Sequence, residues 1–450
     1  MVKLKENKHT TQHHPIEALP IPGRVSIPLS QHLGKICVPL VQAGETVLKG
    51  QKIAEVNAHV YAPIHASVSG KVVSMQEAAH PVLGRCKAIV IESDALDKSQ
   101  IANPKTQEEI EELNPQELRA IVLEAGIVGM GGAGFPTHIK CNPPKPVDAL
   151  IINAAECEPY LTSDYRLMVE KTDEILKGIE LIAKCLGVRN IYIGIEDNKP
   201  DAIEKFKIPA LPAGRQNSPD TRLNSRRDPA IYQRAGREKF KIEVLKSEYP
   251  QGGEKQLVKK ILGREVPSGK LPFEAGVVVH NVGTCFAVYE AVYKNKPLYE
   301  RVVTVTGSCV SEPKNLLARI GTPIKELIDF CGPLKQEPAK IIIGGPMMGI
   351  AQFTVEAPVI KTTTGVLLFN KKEAGIFEEE FCIRCGACVR ACPAGLMPCL
   401  INLASEKEKW VEAKAYNALD CIECGLCNYV CPANRRLTQS IKRAKLEAAR

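Results

Sequence analysis

The sequence predicts a multidomain α/β protein. Its parts are a small all-β unit, a central α/β unit with a mostly parallel sheet, a small α+β unit and a helical, cysteine-rich C-terminal unit. Three observations support this. At 450 residues the chain is too long for one compact core, and its length suggests about three domains. Between residues 149 and 293, apolar runs of strand length alternate with amphipathic helical stretches, the pattern of parallel strands covered by helices. The tail, finally, carries two uninterrupted four-cysteine runs.

Those runs organise the rest. The first is Cys382-Ile-Arg-Cys385-Gly-Ala-Cys388-Val-Arg-Ala-Cys392-Pro393, and the second is Cys421-Ile-Glu-Cys424-Gly-Leu-Cys427-Asn-Tyr-Val-Cys431-Pro432. The spacing C-x2-C-x2-C-x3-C-P holds [4Fe–4S] clusters, and in two-cluster proteins the fourth cysteine ligates the other cluster. Three close cysteines wrap one face of a cubane, and Gly386, Ala387 and Gly425 let the backbone turn around it. The expected sets are Cys382, Cys385, Cys388 and Cys431 for one cluster, and Cys421, Cys424, Cys427 and Cys392 for the other. Zinc also takes four thiolates, but zinc ribbons show separated C-x2-C pairs and not one run closed by proline. A ferredoxin-like dicluster unit is expected over 375–450.

Composition narrows the class. A net charge of +8 is mild for this length. It argues against a dedicated nucleic-acid surface and allows contact with an anionic lipid or an acidic partner. No run approaches the roughly 18 apolar residues of a membrane span. The start, Met1-Val-Lys-Leu-Lys-Glu, lacks the apolar core of a signal peptide. The expectation is a cytosolic chain, or one peripheral on the cytosolic face of a membrane. Seventeen cysteines without a leader read as metal ligands and reduced thiols. The single ones, including Cys37, Cys86, Cys185, Cys309, Cys331 and Cys399, are expected to be small core residues.

After an N-terminal extension (1–22), residues 23–93 show short apolar runs broken by glycine, which predicts a small β domain. The stretch Gly44-Glu-Thr-Val-Leu-Lys-Gly-Gln-Lys-Ile-Ala, with Ala62-Pro-Ile-His-Ala-Ser-Val-Ser-Gly70, resembles the biotinyl/lipoyl barrel-sandwich fold. In that family a hairpin lysine carries the cofactor. Here the hairpin is Val56-Asn-Ala-His-Val60, so docking or packing is the expected role, with His59 and His65 as surface or core histidines.

Residues 94–113 read as a polar linker. Asn114-Pro-Gln-Glu117 then forms a capping box with proline at the first helical position, and Gly126 stops that helix. The α/β unit (114–298) is expected to hold strands at 149–153, 190–195, 241–245 and 277–280. Its helices are expected over Asp164–Leu186, near 201–206, and over 254–262 and 286–293. A basic stretch rich in Pro, Gly, Asn and Ser interrupts it at 208–238 and reads as a disordered surface insertion with little aromatic interleaving for nucleic acid. Residues 299–370 return to β-rich sequence with one helix near 323–330.

One more stretch carries chemistry: Gly126-Ile-Val-Gly129-Met-Gly131-Gly132-Ala-Gly134-Phe135-Pro136-Thr137-His-Ile-Lys140. Glycines let main-chain N–H groups approach a phosphate or an isoalloxazine, and Lys140 adds a charge. It is neither a Walker loop nor a G-x-G-x-x-G directly after a first strand. Spacing alone leaves a nucleotide loop and a plain flexible turn both open.

Gly129–Thr137 with Lys140 resembles the flavin loop of the NADH-binding subunit of respiratory complex I. Asn153-Ala-Ala-Glu156-Cys-Glu158-Pro, Tyr249-Pro-Gln-Gly252-Gly253-Glu254 and His280-Asn281-Val-Gly-Thr284 match that subunit in the same order. Over nearly the whole chain, the sequence is similar to the RnfC family of Rnf ion-translocating complexes. Pro28-Leu-Ser-Gln-His-Leu-Gly34, Gly344-Gly-Pro-Met-Met-Gly349 and the double cysteine run belong to that likeness, and only 208–238 falls outside it. The resemblance implies a Rossmann-like FMN/NADH unit and an SLBB-like, ubiquitin-like unit over 299–370.

It further implies FMN held by Gly129, Gly131, Gly132, Lys140, Asn153, Asn281 and Thr284. Phe135, Glu158 and Glu254 would line the path of NAD(H). Met130, Ala155 and Gly253 depart from complex I, where charged residues stand, so fewer charges would touch flavin and nucleotide. Without the resemblance, Glu156 and Glu158 read as solvated carboxylates. No catalytic triad is expected, because a flavin turns a two-electron hydride into single electrons and the protein supplies position and potential.

The implied role is electron transfer on the cytoplasmic face of a bacterial cell membrane. Partners would be the membrane and iron–sulfur subunits of the complex, with ferredoxin reached through them. Rival readings are a non-enzymatic iron–sulfur adaptor, a component of a soluble flavin-based bifurcating dehydrogenase or hydrogenase, and the related scaffold found in the sodium-pumping quinone reductase. That last family lacks the cysteine tail.

Overall fold

The computed structural model describes residues 1–207, 239–375 and 377–449, so the insertion expected at 208–238 lies outside the described residues. The N-terminal extension is not a bare tail. Its strand β1 (Ile16–Ala18) joins a sheet of the third domain, and Val2 forms a bridge with Tyr249.

The β domain contains β2 (Arg24–Pro28), β3 (Val38–Pro39), β4 (Thr46–Val47), β5 (Lys52–Glu55), β6 (Ile64–His65), β7 (Gly70–His80) and β8 (Gly84–Ser93). Two sheets, ordered β2-β8-β7-β4 and β3-β5-β6, close over Val25, Ile27, Val47, Ile53, Ile64, Val72, Ile89 and Ile91. Alternate strand residues supply that core, the pattern of a sandwich with one face wet. His65 is buried within it and His59 is exposed.

The expected linker holds a helix, α1 (Gln107–Glu112). Thr106 and Glu109 make a reciprocal capping box there, a signal already present in the sequence. In α2 (Pro115–Glu124), Asn114 Oδ1 accepts from Gln116 N (2.9 Å) and Glu117 N (3.0 Å), while the Glu117 carboxylate accepts from Asn114 N at 2.8 Å. The short α3 (Thr137–Lys140) ends the glycine-rich stretch.

The central sheet is β9 (Ala149–Ala154), β10 (Asn190–Glu196), β11 (Phe240–Leu245) and β12 (Val277–Asn281), ordered β11-β10-β9-β12 and parallel throughout. Leu150 and Ile152 face one core while Ala149 and Ile151 face another. Burial on both faces explains why β9 is apolar without alternation. The helix expected over Asp164–Leu186 is two, α4 (Ser163–Glu170) and α5 (Thr172–Leu186). Lys171 leaves helical backbone (φ −131, ψ 34), and Thr172 Oγ1 donates back to the Met168 carbonyl at 2.6 Å. Leu167, Ile175, Ile179 and Ile182 are nonetheless all buried, as their spacing predicts. Next come α6 (Pro200–Lys207), α7 (Glu254–Leu262) and α8 (Val282–Lys294).

The third domain comprises β13 (Glu300–Thr306), β14 (Lys314–Arg319), α9 (Ile324–Phe330), β15 (Lys340–Ile343), β16 (Ile350–Ala351) and β17 (Gly365–Phe369). With β1 they form one mixed sheet, ordered β1-β14-β13-β17-β15-β16. The C-terminal unit is helical: α10 (Ala387–Ala391), α11 (Pro398–Glu406), α12 (Trp410–Ala415), α13 (Leu426–Tyr429) and α14 (Leu437–Ala448). The repeated cysteine run repeats its backbone. Arg384 and Gly386 before α10, and Glu423 and Gly425 before α13, all take positive φ. Among the described residues, no helix is long and apolar enough to cross a membrane.

Candidate functional site

The chain builds β9, β10 and β11 outward in one direction, then returns to place β12 on the other side of β9. Such a reversal opens a crevice beyond the carboxyl ends of the two strands. Asn153 and Asn281 end those strands directly opposite one another.

The glycine stretch arches over this point. Val128 bridges Pro136, and Gly129 N donates to the Phe135 carbonyl at 2.9 Å, which pinches off a tip where Gly131 and Gly132 are exposed. Met130 N donates to Thr284 Oγ1 at 3.0 Å. Asn281 caps α8 by accepting from Gly283 N (2.8 Å), and its Nδ2 donates to Asp164 Oδ2 at 2.6 Å. Asn153 Nδ2 donates to the Gly252 carbonyl (2.8 Å), and its Oδ1 accepts from Ala155 N (3.1 Å). Lys140 Nζ pairs with Glu254 Oε1 at 2.7 Å.

Asn153, Asn281, Thr284 and the glycine tip therefore surround one crevice, while Lys140 and Glu254 meet each other. A methyl group added at Gly132 would meet no protein atom within 4 Å. Open main-chain N–H groups, flanking amides and a lysine form a cradle that fits a flavin phosphate and ring. Phe135 takes part through its carbonyl.

Glu158 is placed differently. Its carboxylate accepts from Met347 N (3.1 Å) and Met348 N (2.9 Å) of the third domain, and burial pushes its carboxyl up to about 7. Glu156 is buried and caps α4, accepting from Asp164 N (2.9 Å) and Tyr165 N (3.2 Å). Neither is a solvated carboxylate, as the residues taken alone suggest. The strand-end loop carrying them is covered by the third domain and the N-terminal arm, where Lys8 donates to the Glu156 carbonyl.

Sequence reasoning missed the cations that grip the loop from outside. Lys361 Nζ, fully buried, donates to the carbonyls of Gly126 (2.6 Å) and Pro63 (2.7 Å), and burial pushes its ammonium down to about 7. Buried Arg301 donates to the Met130 carbonyl at 3.5 Å and to that of Lys361. A lone lysine after Val359-Ile360 is the one signal that could have marked Lys361. Asp164, also missed, has its carboxyl pushed up by burial and by Glu156 beside it.

In the C-terminal unit, Cys392, Cys421, Cys424 and Cys427 line one cavity, the four cysteines expected to share a cluster. Of the other set, Cys388 is buried, Cys431 half-buried, and Cys382 and Cys385 exposed. Among the described residues, no three His, Cys, Asp or Glu side chains converge tightly enough for a single ion. Thiols spread around a cavity fit a larger group with several irons. Burial pushes the Cys424 and Cys427 thiols up to about 11, so loading with iron must release protons. Cys37, Cys86, Cys185, Cys309 and Cys331 are buried, whereas Cys399 is half-buried.

Comparison with known proteins follows the same division. The RnfC barrel sandwich hybrid domain matches residues 2–96, the Nuo51 FMN-binding domain 122–290, the SLBB domain 302–351 and the 4Fe-4S dicluster domain 374–433. The RnfC-type component of the proton-translocating ferredoxin:NAD(+) oxidoreductase complex of Clostridium ljungdahlii is 47% identical over 447 residues, covering 98% of this chain and 92% of that one. Its counterpart in the Na(+)-translocating ferredoxin:NAD(+) oxidoreductase complex of Acetobacterium woodii is 44% identical, covering 98% and 94%. The counterpart in the ion-translocating oxidoreductase complex of Rhodobacter capsulatus is 42% identical, covering 88% and 72%. With likeness of this extent in every domain, the chain belongs to the RnfC family of ion-translocating ferredoxin:NAD(+) oxidoreductase complexes.

Proposed function

We propose that this chain is the peripheral electron-transfer subunit of a membrane-bound, ion-translocating NAD:ferredoxin oxidoreductase, working between NAD(H), FMN and two [4Fe–4S] clusters. The observation that carries this reading is the pairing, in one polypeptide, of an open glycine cradle at a sheet reversal with a cavity walled by Cys392, Cys421, Cys424 and Cys427. Bound FMN would supply the exchange between a two-electron hydride of NADH and the single electrons that clusters accept.

The chain's own residues bind and orient. Gly129, Gly131, Gly132, Asn153, Asn281, Thr284 and Lys140 would hold the flavin, with Phe135, Glu158 and Glu254 toward the nicotinamide. Cys382, Cys385, Cys388 and Cys431 would hold the second cluster. Membrane and iron–sulfur subunits of the complex are the partners, ferredoxin is reached through them, and the site of action is the cytoplasmic face of the bacterial membrane. The test is a combined flavin and iron assay on the purified chain, followed by addition of NADH. One flavin and about eight irons are expected from the ligand count, with bleaching of the flavin absorbance. A flavin-free chain inert to NADH would leave only an iron–sulfur adaptor.

A further inference from the structure

The two cysteine runs are alike in sequence but not in surroundings. Cys424 and Leu426 are packed in one apolar cluster with Leu4, Tyr249 and Met347. Tyr249 is 2% exposed, and its hydroxyl donates to the Cys424 carbonyl at 2.8 Å. Its backbone is tied to the N-terminal arm in both directions, Tyr249 N to the Val2 carbonyl at 2.8 Å and Val2 N to the Tyr249 carbonyl at 3.0 Å. From the other side, Glu158 fixes the Met347–Met348 turn, whose Met347 carbonyl lies so close to Gly425 that a β-carbon there would come within 2.7 Å of it. At the matching Gly386, a β-carbon would meet only the tip of the Arg390 side chain, at 3.1 Å, and Cys382 and Cys385 are exposed.

We infer that Tyr249 is a positioning residue that seats the Cys421–Cys427 loop on the nucleotide domain. These cysteines, with Cys392, would thus hold the cluster nearer the flavin, and the Cys382–Cys388 loop would face a partner. The inference rests on the electron-transfer reading for its functional part and on the contacts alone for its structural part. Tyr249 touches no reacting group. It acts through the loop, by holding one cluster at a fixed separation from the flavin crevice.

The test is Tyr249→Phe in the full chain, which removes one hydroxyl and keeps the ring. Flavin content, iron content and NADH bleaching should stay at wild-type values. Amide hydrogen exchange over Leu426–Tyr429 should speed up about tenfold, as for the loss of one buried hydrogen bond, while Ala387–Ala391 is unchanged. The NADH-dependent rise of the cluster EPR signal should slow, with dithionite still reducing both clusters in full. Gly425→Ala, which drives a β-carbon against Met347, should shift exchange and EPR in the same direction. Wild-type exchange and cluster reduction in Tyr249→Phe would overturn the inference. A chain without flavin would overturn the electron-transfer reading instead, and the exchange measurement would still decide whether Tyr249 seats the loop.

Discussion

The side-chain amide of Asn281 fills the space that a β-carbon on Gly131 would need, with Nδ2 only 2.6 Å from where that atom would stand. Asn281 cannot retreat freely, because its oxygen caps α8 and its nitrogen is held by Asp164. Gly131→Ala must therefore push the loop tip outward, into the crevice assigned to FMN. At Gly132 the added methyl meets no protein atom within 4 Å. We expect Gly131→Ala to fold, judged by circular dichroism, and to lose flavin affinity by about tenfold or more, roughly 1.4 kcal/mol. Gly132→Ala should fold equally well, and any flavin it loses then reports a clash with the ligand itself. Wild-type flavin content in both variants would place the flavin elsewhere.

The cluster assignment predicts two separable losses. Cys385→Ser and Cys421→Ser each remove one thiolate from a different expected set, so iron should fall from about eight to about four per chain in each. The EPR signal that survives should differ between the two variants, and NADH should still bleach the flavin in both. Zinc in place of iron in the unmodified chain would defeat the assignment.

Local chemistry was legible in the sequence, and long-range chemistry was not. The capping box at Asn114, the strand at Ala149–Ala154 and the paired cysteine runs are short patterns whose physics acts within a few residues. The box at Thr106 was equally visible, but it sat inside a stretch polar enough to read as linker. The pairing of Ile16 with Asn315 leaves no local trace, because either partner alone is an ordinary short strand. Lys361 and Arg301 grip the glycine loop from residues far along the chain, and the break at Lys171 is a backbone choice that the apolar spacing of α4 and α5 does not record. Glu158 shows the limit of resemblance. The likeness points it at the nucleotide path, whereas its oxygens meet the N–H groups of Met347 and Met348.

Glu158 also predicts a pH dependence. The residue is half-buried, but its carboxyl end is enclosed beside Gly345 and Tyr249, and burial raises it from an ordinary 4.5 to about 7. The folded chain thus holds this proton more tightly than the unfolded chain. The resulting stability is complete below about pH 4.5 and is lost as pH rises through about 7. At about 1.4 kcal/mol per pH unit the effect is at most about 3 kcal/mol. Glu158→Gln should therefore gain on the wild type between pH 5 and pH 8 in urea unfolding. Parallel pH profiles for the two proteins would show that the carboxyl is ionised throughout.

The N-terminal arm makes the last prediction, because it is joined to the rest by polar groups that no water can reach. Thr11, Thr162, Thr304 and Asn315 are all completely buried. Asn315 Nδ2 donates to the Thr11 carbonyl at 3.1 Å, and Asn315 Oδ1 accepts from Thr304 Oγ1 at 2.8 Å and lies 2.9 Å from Thr162 Oγ1. One amide thus serves the arm, the nucleotide domain and the third domain together. Thr11→Val removes a single hydroxyl from the edge of this network and should cost about 1 kcal/mol. Asn315→Leu keeps the volume but orphans the Thr11 carbonyl and leaves two buried hydroxyls without their acceptor, so it should cost about 3 kcal/mol or more. The arm also carries Val2 to Tyr249 and Lys8 to Glu156, so loosening it at Thr11 should raise amide exchange at Val2 and Tyr249 as well. Asn315→Leu with wild-type urea stability, or with unchanged exchange along the arm, would mean that packing alone holds the three parts together.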